Sequence, residues 1–199
     1  MSYDSKYINK EFYWGLKPHK FVVNTVEVIP PHAKVLDLGC GEGRNAFFLA
    51  QNTFDVTAVD SSQEGIHKLI SFAKQEGLDI QAEVSDIRLY LQHCEIFDAI
   101  FAINVLQFID GDTIFDTIAQ MQDKTSAGGF NIISAFVAET AEQKEELLLR
   151  GRYLFDEGEL QKLYADWDIL LYKETLGDWE THGEAEHRHF KVRIIAQKR

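Results

Sequence analysis

The segment Lys34 to Asn45, KVLDLGCGEGRN, constrains the fold more than any other part of the chain. Val35 to Leu38 is an apolar run of strand length. It enters a turn with glycine at 39, 41 and 43 before helix-forming residues begin near Arg44. Glycine at every second position admits positive φ and lets a ligand approach the backbone with no Cβ in the way. Asp60 stands 21 residues beyond Gly39, at the end of a second apolar run that starts at Val56. Strand, glycine turn, helix, strand and terminal carboxylate is the order that holds a nucleoside-bearing ligand at the carboxyl ends of parallel strands.

The chain after Pro30-Pro31 repeats that alternation. Hydrophobic patterning predicts strands over 34–38, 54–59, 79–84, 97–103 and 129–135, with helices over 44–51, 63–76 and 112–124. Strands alternating with amphipathic helices give a parallel sheet covered on both faces and joined by right-handed crossovers. Phe97 to Ile103 is almost continuously apolar, as a central strand should be. Beyond Phe136 the pattern changes. Residues 139–150 read as a short exposed helix, and Glu157 to Tyr164 as another with Asp156 as its cap. Strands are expected over 167–176 and 187–197. In the second, Phe190, Val192, Ile194 and Ala196 alternate with Lys191, Arg193 and Ile195. These two strands would form an antiparallel hairpin around Gly177 to Glu186. The expected class is α/β: a Rossmann-like, doubly wound sheet of seven strands, mostly parallel, with an antiparallel C-terminal hairpin.

The 199 residues read as a single domain, and no repeat or linker divides them. Residues 1–31 form a leader that holds all three prolines and the aromatics Tyr3, Tyr7, Phe12, Tyr13 and Trp14. Lys20 to Ile29 has apolar residues at helical spacing. The leader either caps the core or lies as a lid over a ligand, and aromatic faces attract cations.

Charge narrows the function. Against 20 Lys and Arg stand 32 Asp and Glu, a net charge of −12, which repels phosphate backbones and argues against nucleic acid as substrate. No apolar run approaches the roughly 20 residues of a membrane span, and Met1 to Lys10 lacks the apolar core of a signal peptide. Cys40 and Cys94 have no metal-ligand or disulfide spacing, so no metal is expected and a reducing cytoplasm is the default location. Both read as small buried hydrophobes.

The glycine spacing is G-x-G-x-G, whereas a dinucleotide site favours G-x-G-x-x-G, and no Walker lysine follows. Asp37 at the strand end makes little sense beside a pyrophosphate and good sense beside the ammonium of an amino-acid moiety. Asp60 can accept both ribose hydroxyls. These residues resemble motif I and the ribose-binding acid of class I S-adenosylmethionine-dependent methyltransferases. Val84-Ser85-Asp86-Ile87 resembles the segment that meets the adenine amino group in that family. Asn104 to Phe108 resembles the segment lining its methyl-transfer site. The likeness runs over residues 30–197. It implies S-adenosylmethionine as cofactor, held by Asp37, Gly39, Gly41, Asn45, Asp60, Ser61, Asp86, Ile87, Asn104 and Val105.

A closer resemblance is to TehB-type tellurite-resistance methyltransferases. It is carried by Arg44-Asn45, the helix start Glu157-Gly158-Glu159-Leu160, the leader residues Tyr13-Trp14 and Pro18-His19-Lys20, and a late loop rich in His and Arg. It implies a small anionic acceptor of the tellurite or selenite type, with His182, His187 and Arg188 on the substrate side. Three of the seven histidines, His182, His187 and His189, do fall within eight residues beside Arg188. Arginine suits an oxyanion through its fork of donors, and histidine can move a proton near neutral pH. The same loop also reads as a solvated turn. A small organic thiol or amine is an alternative acceptor, and a non-catalytic cofactor-binding module an alternative role.

Overall fold

The computed structural model describes residues 3–8, 11–177 and 188–199. Seven strands, β1 (Lys34–Leu38), β2 (Asp55–Asp60), β3 (Ile80–Val84), β4 (Phe97–Ile103), β5 (Thr125–Phe136), β6 (Asp168–Leu176) and β7 (Phe190–Gln197), form one sheet in the order β3-β2-β1-β4-β5-β7-β6. The pairings from β3 through β5 are parallel, and β7 runs antiparallel between β5 and β6. Chain order reverses between β1 and β4. In such a sheet ligands bind outside the carboxyl ends of the strands at that reversal, where Gly39 and Asn104 follow the two strands.

Successive side chains on a strand point to opposite faces, and here both faces are covered. Val35, Val56, Ala58, Phe101, Ile132 and Ile195 pack against α3 (Arg44–Gln51) and α4 (Gln63–Glu76). Leu36, Leu38, Ile100, Ile133, Val192 and Ile194 face a second core with Leu91, Ile114, Ile118 and Leu160. Those last four belong to α5 (Ile87–His93), α6 (Ile114–Asp123) and α8 (Glu159–Leu163). A polar chain crosses this second core. The fully buried Tyr164 hydroxyl donates to Asn131 Oδ1 at 2.7 Å, and Asn131 Nδ2 donates to Thr125 Oγ1 at 2.7 Å.

Most expected elements are present, with local differences. The helix expected over 20–29 breaks into α2 (Lys20–Val23) and a 3-10 turn, Val26–Val28. The stretch is rich in β-branched residues, and Thr25 Oγ1 donates back to Val22 O at 2.8 Å, which competes with a continuing helix. α5 follows Asp86, whose Oδ1 accepts from Arg88 N at 2.9 Å, although no helix was expected there. The cap of α8 is Gly158 at φ 72°, not Asp156; the Asp156 carboxylate instead pairs with Lys144 at 2.8 Å. The expected exposed helix is α7 (Ala141–Leu149), which has no buried residue. Among the described residues no helix is long and apolar enough to cross a membrane.

Candidate active site

The turn after β1 is built on its glycines. Gly39, Gly41 and Gly43 have φ of 68°, 58° and 92°, the left-handed region that other residues enter at a cost. Gly39 is also pressed against the segment after β4, since a Cβ there would lie 2.2 Å from Val105 Cγ2. Asp60 closes the turn: its Oδ2 accepts from Gly41 N and its Oδ1 from Ser62 N, both at 2.8 Å. Burial pushes the Asp60 carboxyl upward, opposed by those two N–H groups. Asp37 is 1% exposed, and its Oδ2 has no hydrogen-bond partner. Burial first, and the charge of Asp60 second, raise its pKa to about 7 against the opposing pull of Arg44.

A cavity of about 1340 Å³ opens beside this turn. Of the residues expected to bind cofactor, Gly39, Gly41, Asn45, Asp60, Ser61, Asn104 and Val105 line it. Asp37 lies buried behind that wall. Asp86 and Ile87 are not on it: Arg88 holds both oxygens of Asp86 at 2.9 and 2.6 Å, and Ile87 is buried in the second core. Asn104 sits at φ 54°, its N–H donating to Ser134 O at 2.7 Å and its Oδ1 accepting from Ser134 Oγ at 3.2 Å.

The leader forms one side of the cavity through Tyr3, Lys6, Tyr7, Tyr13 and Trp14. Two carboxylates tie it down. In α1 (Asp4–Tyr7), Asp4 Oδ1 accepts from Ser62 Oγ at 2.5 Å and from Glu64 N at 3.2 Å. Glu42, inside the glycine turn and 3% exposed, accepts from Tyr13 N at 2.7 Å. Its other oxygen pairs with Lys68 at 2.6 Å, and Lys68 also donates to Glu11 O at 2.8 Å. Tyr7 is buried against the turn and accepts from Trp14 Nε1 at 3.3 Å.

The opposite wall comes from the sheet beyond β4. Phe136, Lys173, Thr175, His189, Phe190 and Arg193 line it, with Gln107 from the 3-10 turn Leu106–Phe108 and Arg152 from a loop. Lysines and arginines 6, 17, 20, 44, 152, 173 and 193 border the cavity against three carboxylates, Glu42, Asp60 and Glu139, in a chain of net charge −12. His189 stacks on Phe136 with ring centroids 4.4 Å apart and planes at 18°. Arg188 is exposed and off the wall. His182 and His187 lie outside the described residues. Among the described residues no group of three His, Cys, Asp or Glu side chains is placed to hold a metal.

The model of the TehB tellurite resistance protein family matches residues 2–196 of this chain. The chain belongs to that family. A probable S-adenosyl-L-methionine-dependent methyltransferase TehB of Haemophilus influenzae is 33% identical over 187 residues, 92% of this chain and 64% of that protein. Hemagglutinin 1 of Eikenella corrodens is 36% identical over 159 residues, 80% of this chain and 51% of that protein. The crystal structure of TehB from Haemophilus influenzae superposes with a TM-score of 0.79 at 27% identity, covering 99% of this chain and 66% of that one. The chain thus spans about half to two thirds of the length of these relatives. The seven-stranded sheet with its antiparallel C-terminal strands is the class I methyltransferase fold.

Proposed function

We propose that this chain is an S-adenosylmethionine-dependent methyltransferase acting on a small anionic acceptor, with tellurite- and selenite-type oxyanions as the first candidates. The observation that carries this reading is the orphaned, buried Oδ2 of Asp37 behind a turn of left-handed glycines. A buried carboxylate oxygen without a donor is costly, and the ammonium of an amino-acid-bearing ligand is the donor it lacks.

The residues fit such a ligand. Asp60 accepts one N–H on each oxygen, and a carboxylate has about four acceptor positions, so capacity remains for two ribose hydroxyls. Gly39 and Gly41 offer backbone without a Cβ, and Asn45, Ser61, Asn104 and Val105 complete the wall. Asp86 and Ile87 belong to the adenine end, with Arg88 orienting the carboxylate of Asp86. The bound cofactor would supply an electrophilic methyl carbon on a sulfonium. The chain's own task is then to hold a nucleophile in line, about 3–3.5 Å away, in a site shielded from water. The leader, residues 1–31, supplies that shielding as a cap within a single methyltransferase domain, and its aromatic faces suit a sulfonium. On the acceptor side Arg188 orients the anion, and His182 or His187 takes a proton from a protonated oxyanion.

A second acceptor class, a small organic thiol or amine, is favoured by the cavity's size. About 1340 Å³ with Phe108, Phe136 and Phe190 on its walls exceeds what one cofactor needs, given typical ligand pockets of about 300–1,000 Å³. Titration calorimetry with S-adenosylmethionine and with NAD tests the cofactor; binding of NAD alone overturns the reading. Release of S-adenosylhomocysteine with tellurite, selenite, selenate and small thiols tests the acceptor. Turnover with a thiol alone removes the oxyanion and leaves the reaction class.

A further inference from the structure

We propose that Arg193, with Lys173 beside it, anchors the oxyanion group of the methyl acceptor on the floor of the cavity, separately from the hairpin loop. This deepens the methyltransferase reading and rests on it.

Three strands place the pair by register. Ser134 on β5 faces Arg193 on β7, and Arg193 faces Lys173 on β6. Directly opposed residues of antiparallel strands project to the same face, so the two cations stand side by side. Both line the cavity. Among the described residues neither side chain makes a hydrogen bond or ion pair, and Arg193 Nε is buried without an acceptor. A guanidinium carrying a buried, unpaired N–H is in the condition that a two-oxygen ligand relieves, since its fork matches carboxylate-like geometry.

The floor is also coupled to the cofactor side. Ser134, the cross-strand neighbour of Arg193, donates to Asn104 Oδ1 at 3.2 Å, and Val105 follows, packed against Gly39. An anion held at Arg193 therefore sits on the same row of the sheet as the end of β4 and its turn. Phe136, two residues beyond Ser134, adds an aromatic wall. The chemistry recognised is one planar or pyramidal oxyanion on a small body: selenite, tellurite, or the carboxylate of a compact aromatic molecule. Arg188 is exposed and off this wall, so it acts at the rim and Arg193 at depth.

The test uses the wild type, Arg193→Met, Arg193→Lys and Lys173→Met in full-length protein. Steady-state assays with tellurite, selenite and 2-mercaptobenzoate separate inorganic from organic acceptors, and calorimetry gives the dissociation constant for S-adenosylmethionine. Removing a charged hydrogen bond predicts a rise in KM of about tenfold to a hundredfold for Arg193→Met, with cofactor affinity held within about twofold. Arg193→Lys should recover part of that loss, and Lys173→Met, at an exposed position, should lose less. An unchanged KM in Arg193→Met, or parallel loss of cofactor affinity, overturns the proposal. Thermal shifts of wild type and Arg193→Met with each anion, with and without S-adenosylhomocysteine, decide it even where turnover is absent. Equal shifts in both proteins, or none in the wild type, overturn it. Wild type that responds to anions but not to S-adenosylmethionine overturns the methyltransferase reading alone.

Discussion

Replacing Asp37 with Asn removes one charge and keeps the side chain's shape, so it isolates what the buried carboxylate does. The folded pKa of Asp37 is about 7, against an ordinary 3.8. A carboxyl raised in the folded state binds its proton more tightly there than in the unfolded chain. Its contribution to stability is therefore largest at acid pH and declines as pH rises from about 4 to about 7. At roughly 1.4 kcal/mol per pKa unit the whole window is worth about 4 kcal/mol, of which about 3 kcal/mol falls between pH 5 and 8. For a chain of 199 residues that is about 6–12 °C in Tm.

Melting curves of wild type and Asp37→Asn at pH 5 and pH 8 read this out, because titrating groups that do not interact with Asp37 cancel between the two proteins. The variant should gain on the wild type between pH 5 and 8 by several degrees. S-adenosylmethionine should reverse the order at pH 8. The ammonium satisfies Oδ2 of the ionised wild type, and the variant should bind about tenfold to a hundredfold more weakly. In wild type the affinity should rise with pH through about 7 as the carboxyl ionises. A stability difference independent of pH, or equal cofactor affinity at pH 8, would refute the assignment of Asp37 to an ammonium.

Other perturbations separate the parts of the site. Gly39→Ala should abolish cofactor binding by calorimetry, because the new methyl would meet Val105 Cγ2 at 2.2 Å and φ is 68°. Glu42→Gln weakens both its pairing with Lys68 and its hold on Tyr13 N, so limited proteolysis should cut the leader faster and cofactor affinity should fall. Unchanged protection would mean that Asp4 and the aromatic contacts suffice. Tyr164→Phe leaves Asn131 Oδ1 without its donor in a fully buried position; urea melts should show a loss of about 1–3 kcal/mol with KM unchanged.

The turn after β1 was legible because its information is local. Val35 to Asn45 contains the strand, the turn and the helix start in consecutive residues, and β1 and α3 occupy the expected spans. Asp86 shows the limit of such reading. In sequence it is an acid at the right distance; in the fold its carboxylate also caps α5 and carries Arg88. α5 itself is seven residues with Leu89 exposed, too short for its periodicity to stand out.

The acceptor side is assembled by register, which no local pattern encodes: Arg193, Lys173 and Phe136 meet only because β7 inserts antiparallel between β5 and β6. One signal was nevertheless present. An interior strand with both faces covered should be apolar on both, yet β7 alternates Val192, Ile194 and Ala196 with Lys191 and Arg193. Ile195 continues the cationic row and is buried against the first core, so that face is dry at one end of the strand. At the other end of the row Lys191 is 2% exposed and sits 5.0 Å from the centre of the Phe136 ring, so protein meets it, whereas Arg193 lines the cavity with a buried Nε that has no acceptor. Arg193, a cation on an interior strand that the surrounding protein leaves without an acceptor, thus marks the part of the cavity wall suited to an anionic group.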